Sequence, residues 1–251
     1  MSERGQAKES IQVSKDEQAH LKAVIPFLKE TEMFSILEES ELVRVAEHSQ
    51  FDRIEKKQTV FREGDSPKGG FIVGQGRLIL KKGGGDKKAV VAELLGRGDP
   101  FGVVCAARGE PYPMSAEALC KSVVLTVEQE FLVSLTNNTP KFATHLFDLC
   151  RARFQAAQEK FARLAHADSK VRVASALLLF SEKFTAGGES IIEVTRDELS
   201  QIAGVTVETC IRVTKQFEKD GILAFPESKK IELVNNSSLE ELASWGALPY
   251  T

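Results

Sequence analysis

The stretch from Thr195 to Phe217, TRDELSQIAGVTVETCIRVTKQF, gathers side chains of several hydrogen-bonding kinds on one side of one helix. Thr195 followed three residues later by Glu198 has the spacing of a capping box, and Leu199, Ile202 and Ala203 then supply the apolar face of a first helix. Gly204 provides a tight turn where a side chain would obstruct close approach. Thr206 is placed to cap a second helix whose inward residues are Cys210, Val213 and Phe217, at i, i+3 and i+7. That assignment turns Val207, Glu208, Ile211, Arg212 and Lys215 outward. In a helix-turn-helix the opening turns of the second helix enter the DNA major groove. There an Arg can bond guanine O6 and N7 together, a Glu can accept from the cytosine amino group, and Val207 or Ile211 can touch a thymine methyl. Lys215, Lys170, Arg172 and Arg196, with the helix N-termini, would contact phosphates.

Other elements must hold this surface in place. Gly221-Ile222-Leu223 and the run Lys229 to Val234, around a Pro226-Glu227-Ser228 turn, form a hairpin wing. Upstream, Ile191 to Val194 reads as a strand. Asp168 reads as the N-cap of a helix carrying Val171, Ala174, Leu177, Leu178 and Phe180, and ending near Gly187-Gly188. Before that, Phe142, Leu146, Leu149, Arg153 or Phe154, Ala157, Phe161 and Leu164 recur at three- and four-residue steps, with no breaker from Lys141 to Ala167. A helix of this length needs a partner, and a two-fold pair with a second copy is the expected one.

Between Phe51 and about Val133 the period shortens. Thr59 to Phe61, Gly69 to Val73, Leu78 to Leu80, Ala89 to Ala92 and Val123 to Val127 are short strands separated by Gly and Asp turns, among them Gly83-Gly84-Gly85-Asp86. Such spacing predicts an antiparallel barrel or sandwich. Two short helices precede it, one from Leu21 to Leu28 and one through Leu42 and Val45 with Ser40 as N-cap, and residues 1–20 read as a mobile arm. The resulting division is an arm at 1–20, a sensing domain at 21–139, a dimerisation helix at 140–167 and a winged helix-turn-helix domain at 168–251.

Composition narrows the classes. The 251 residues contain no apolar run long enough to span a bilayer, and the polar start is no leader, so a cytoplasmic protein without membrane contact is expected. Cys105, Cys120, Cys150 and Cys210 are too scattered for a disulfide framework, and His20, His48, His145 and His166 lack metal-ligand spacing, so no metal site is expected. A Cys105 and Cys120 redox pair is the alternative to reduced, buried thiols. No G-x-S-x-G, Walker or HExxH motif suggests an enzyme. The net charge of −3, with nine Lys/Arg against thirteen Asp/Glu in residues 168–251, predicts weak non-specific DNA binding.

With TVETCIR in the second helix, this order of parts resembles the family of the cyclic-AMP receptor protein and the fumarate/nitrate reduction regulator, over residues 25–235. The resemblance implies an α+β protein. Its parts would be an N-terminal antiparallel β-roll of cupin-like, double-stranded β-helix type, a long dimerisation helix and a C-terminal winged helix-turn-helix. It further implies a homodimer on double-stranded DNA with palindromic TTGA-like half-sites, and RNA polymerase as protein partner. Glu208 and Arg212 match the ends of the oxygen-sensing branch's E-x-x-S-R signature, with Ile211 where Ser or Gly is usual.

The resemblance also places an effector pocket at Phe101, Gly102, Val103, Val104, Met114, Ser115, Phe154, Ala157 and Gln158. Cyclic-nucleotide binders of this family carry a Glu for the ribose and an Arg for the cyclic phosphate. Here these positions are Val103 and Met114, so the bidentate anion contact is lost and cyclic AMP in its usual pose is not expected. Since Cys105 is the first cysteine, an iron-sulfur cluster is not expected either. A small apolar or aromatic effector, or a haem with His145 or His166 as ligand, fits the apolar lining. The effector would select the dimer whose reading helices lie one DNA turn apart, through a hinge near His166-Ala167-Asp168. The alternative function is a sensing module that acts through protein contacts, with a vestigial DNA-binding domain.

Overall fold

The computed structural model describes residues 15–83, 89–164, 167–185 and 190–244. Helix α1 (Lys15–Glu30), a 3-10 turn at Glu32–Phe34 and α2 (Glu39–Glu47) lead into the sheet region. Strands β1 (Ser49–Ile54), β2 (Thr59–Phe61), β3 (Gly69–Gln75), β4 (Leu78–Lys82), β5 (Val90–Leu95) and β6 (Pro100–Phe101) follow. Helix α3 (Val103–Arg108) interrupts them before β7 (Ser115–Ala118), β8 (Ser122–Glu128) and α4 (Gln129–Asn138). The long α5 (Pro140–Leu164) comes next. It is followed by α6 (Ser169–Phe184), β9 (Ile191–Glu193), α7 (Arg196–Ala203), α8 (Val207–Lys219), β10 (Leu223–Ala224), β11 (Lys230–Leu233) and α9 (Asn236–Ser244).

Two four-stranded antiparallel sheets, in the orders β1-β8-β3-β6 and β2-β7-β4-β5, enclose one core. Alternation puts Phe61, Phe71, Leu78, Leu80, Phe101, Ala116 and Val124 inside, and the rings of Phe61 and Tyr112 stack with centroids 3.8 Å apart. The outer face of β3 and β8, through Ile72, Leu125 and Val127, is covered by α1 to α4 and the start of α5. This is the expected β-roll.

Several details differ from the sequence reading. Residues 15–20 belong to α1, so the expected arm is too long. Helix α2 is capped by Glu38 in a capping box with Glu41, and Ser40 lies inside the helix. The helix starts two residues earlier than Ser40 would set it, and there the Glu41 carboxylate accepts from Glu38 N at 2.8 Å. The expected strand region up to Val133 ends in α4, whose Phe131, Leu132 and Leu135 pack inward at helical steps. Strands β1 and β7 and helix α9 were not anticipated. The Gly84-Gly85-Asp86 turn, His166 of the expected hinge and Gly187-Gly188 lie outside the described residues.

The C-terminal unit does not stand apart from the roll. Ile79, Leu94 and Leu119 of the roll are buried in one cluster with Val173, Leu177 and Phe180 of α6 and Leu199 of α7. A charged clasp sits at its edge. The Glu198 side chain is 4% exposed, with Lys56 Nζ 3.4 Å and Arg77 Nη2 3.9 Å from its oxygens. Arg77 also donates to the Glu193 carbonyl and lies over the rings of Phe180 and Phe184 at 5.9 and 5.5 Å.

Removing Arg77 takes one of two cations from a buried carboxylate and uncovers the Phe180 and Phe184 rings beneath it. Arg77→Ala is therefore expected to cost about 2 to 3 kcal/mol and to loosen this docking. Urea unfolding followed by circular dichroism should then split into two transitions. A single unshifted transition would show that the clasp holds nothing.

Candidate nucleic-acid interface and effector cavity

Helix α7 is bounded as its sequence dictates. Thr195 Oγ1 accepts from Glu198 N at 3.2 Å, Glu198 Oε2 accepts from Thr195 N at 3.0 Å, and Gly204 closes the helix at φ 65°. That left-handed turn is where a Cβ would be strained. Helix α8 then starts at once, with Thr206 Oγ1 accepting from Thr209 N at 3.2 Å. Cys210, Val213, Thr214 and Phe217 are buried beneath it, and the Cys210 thiol is pushed up to about 11 by burial, which keeps it neutral and unreactive.

The opposite face is open. Glu208, Ile211, Arg212 and Lys215 are exposed and Val207 is half-buried, while Thr206 is exposed at the cap. The Glu208 carboxyl is held below its ordinary range by its own backbone N–H and the Thr206 hydroxyl, so it is an ionised acceptor at neutral pH. Arg196, expected at a phosphate, is half-buried at the wing. Its guanidinium lies 4.2 Å over the Phe225 ring and burial lowers its pKa, so it braces the wing against α7. The wing itself is the sheet β10-β11-β9. Asp168 Oδ1 caps α6, accepting from Lys170 N at 2.8 Å and Val171 N at 2.9 Å.

A second site lies between the roll and α5. A cavity of about 190 Å³ is lined by Phe101, Gly102, Val103, Val104 and Met114 as expected. Gly102 is left-handed at φ 69°, and a Cβ there would meet Tyr112 Cε1 at 2.9 Å, so the glycine lets the chain close over the ring. Ser115, Phe154, Ala157 and Gln158 do not line it. The Ser115 hydroxyl accepts from Glu63 N at 2.9 Å, and Phe154, Ala157 and Gln158 point outward, Phe154 being 64% exposed.

The reason is helical phase. Phe142 and Leu146 are buried in the roll, and steps of three and four from them lead to Leu149 and Arg153, about 100° to 160° around the helix from Phe147 and Phe154. Leu149, Cys150 and Arg153, with Glu93 of β5 and Phe61, Leu80 and Tyr112 of the roll, are among the lining residues that the sequence did not assign, although the phase set at Phe142 was a signal for Arg153. The cysteines are free and lie in different places. Cys105 and Cys150 line this cavity, while Cys120 faces the cleft beside Arg77, so a Cys105 and Cys120 pair is not supported by geometry. His145 is turned away, with Nε2 2.8 Å from the Glu32 carbonyl. Among the described residues, no three His, Cys, Asp or Glu side chains converge on a metal position, and no helix is long and apolar enough to cross a membrane.

Comparison with known proteins matches both of the domains that carry these surfaces. Residues 51–139 match the cyclic nucleotide-binding domain family and residues 171–242 the Crp-like helix-turn-helix domain family. The nitrogen fixation regulation protein FixK of Azorhizobium caulinodans is 28% identical over 194 residues, covering 75% of this chain and 77% of that protein. The chain belongs to the CRP/FNR family of transcription regulators. A second CRP/FNR relative, the fumarate and nitrate reduction regulatory protein of Escherichia coli (strain K12), is 28% identical over 198 residues, covering 76% and 77% of the two chains. Among solved CRP/FNR structures, FixK2 from Bradyrhizobium japonicum superposes with a TM-score of 0.70 at 21% identity, over 77% of this chain and 96% of that one. The matched relatives are regulators of transcription, and the fold is theirs.

Proposed function

We propose that the chain works as a homodimer that reads a palindromic DNA site through the exposed face of α8, under control of a small effector in the α5 cavity. The observation that carries the reading is the pairing of two open surfaces. Glu208, Ile211, Arg212 and Lys215 face solvent at the start of a capped helix, and Phe147 and Phe154, seven residues apart on α5, are 69% and 64% exposed. Large aromatic rings repeated at seven-residue steps are the seam of a helix pair, and Phe161 continues the step in sequence. Two copies joined there present two reading helices.

Thr206, Val207, Glu208, Ile211, Arg212 and Lys215 are the base- and phosphate-facing residues, with half-sites related to TTGA. RNA polymerase is the protein partner and the cytoplasm the place of action. The cavity volume of about 190 Å³ lies below the roughly 300 Å³ and more of drug-sized ligand sites, and no described histidine lines it, which supports a small effector over a haem. Val103 and Met114 leave the lining without the groups that hold a cyclic nucleotide in the usual pose.

Half-site spacing is the test. Fluorescent duplexes carrying the palindrome, the palindrome with half a turn inserted at its centre, and a single half-site are titrated with the protein. The intact palindrome should bind at least about a hundredfold tighter than either alternative, because only it engages both heads at once. Equal affinity for all three would overturn the reading.

A further inference from the structure

We propose that the α5 cavity takes a small monocarboxylate with an apolar body, its carboxylate gripped by Arg153; this rests on the cavity being the effector site. The volume of about 190 Å³ holds roughly six waters at ~30 Å³ each, which corresponds to about six to nine ligand heavy atoms. Phe61, Leu80, Phe101, Val103, Met114 and Leu149 make its walls apolar. The Tyr112 hydroxyl is already committed, donating to the Gly69 carbonyl at 2.6 Å and accepting from Lys68 N at 3.2 Å. Glu93 and Arg153 are the two charged residues of the lining. A ligand therefore meets apolar walls inside and a guanidinium at one end.

Arg153 is held in place without being used up. Nη1 donates to the Pro100 carbonyl at 2.6 Å, and Nη2 stands 3.8 Å from Glu93 Oε1, beyond hydrogen-bond reach. A guanidinium has five N–H donors, so most of its fork remains for a carboxylate. The two side chains are 39% and 35% exposed, and an ion pair that open and that long is weak. An incoming carboxylate displaces Glu93 at small cost and gains two parallel hydrogen bonds.

The exchange reaches both functional surfaces. Glu93 precedes Leu94, which is 1% exposed in the core shared with α6 and α7, and Arg153 precedes Phe154 on the exposed face of α5. Ligand capture thus frees β5 from α5 and fixes α5 to the ligand instead. Both the docking of the reading unit and the dimer helix feel the change.

The test uses the full chain with benzoate and hexanoate as probes, and benzamide and hexanamide as uncharged counterparts. Calorimetry gives affinity, and peptide mapping after iodoacetamide treatment reports protection of Cys105 and Cys150 inside the cavity. The acids should bind at least about tenfold tighter than the amides and protect both thiols. Arg153→Gln should erase the preference for acids, Arg153→Lys should restore part of it, and Glu93→Gln should tighten acid binding severalfold. Opposite shifts in Arg153→Gln and Glu93→Gln cannot come from a folding defect. Equal binding of acid and amide, indifference to Arg153→Gln, or failure of both acids to saturate would overturn the proposal. Acid binding that leaves DNA affinity unchanged would remove the cavity's regulatory role while the anion site stands. DNA affinity that responds equally to amides would keep that role and remove the anion site.

Discussion

Phe147→Asp with Phe154→Asp yields a folded monomer whose affinity for a palindromic duplex is at least about a hundredfold below that of the parent protein. Both rings stand mostly in solvent in the single chain, 69% and 64% exposed, so their removal leaves the fold within about 0.5 kcal/mol of its stability. In a helix pair the same rings are buried. Full burial of a Phe side chain is worth about 1.5 to 3 kcal/mol; about two thirds of each ring is still to be buried and the two-fold axis brings four rings to the seam, for roughly 4 to 8 kcal/mol before the costs of association. Two carboxylates in each copy replace that gain with like-charge repulsion. Sedimentation velocity measures the monomer and fluorescence anisotropy the DNA affinity. A variant that remains dimeric would place the subunit interface elsewhere.

The next largest effect belongs to Arg212. Its side chain is exposed one turn beyond Glu208, on the side of α8 opposite the buried Cys210, Val213 and Phe217. Loss of a bidentate guanine contact costs about 1 to 3 kcal/mol, so Arg212→Ala should weaken the specific site by roughly 5- to 150-fold and leave random DNA almost unchanged. Lys215→Ala is the control. A phosphate contact carries no sequence information, so its removal should weaken all duplexes alike and reduce the salt slope by about one. Should Arg212→Ala weaken specific and random DNA equally, α8 is not a reading helix, and a sensing module working through protein contacts becomes the better account.

Local chemistry made the DNA-facing half of the molecule legible in the sequence. Thr195 with Glu198, Gly204, Thr206 and Asp168 each satisfy helix ends through atoms within four residues of themselves, and all four occupy the predicted roles. The roll was legible through its turns and alternation, although β1, β7 and α4 escaped because nothing in their own residues fixes which layer they join. The cavity was legible only in part. Phe101 to Val104 and Met114 are neighbours in sequence, but Arg153 and Glu93 are 60 positions apart and meet only when α5 crosses the roll. Arg196 shows the same limit. Its stacking on Phe225 depends on where the wing folds, which no local pattern encodes.

Sequencing of duplexes selected from a random pool, by the parent protein and by Arg212→Ala in parallel, tests the central claim most directly. The account predicts a two-fold symmetric consensus for the parent, its half-site centres one helical turn of about 34 Å apart. It also predicts the same consensus for the variant with guanine selection lost at one position in each half. An asymmetric or absent consensus from the parent, or identical consensus sequences from both proteins, would contradict it.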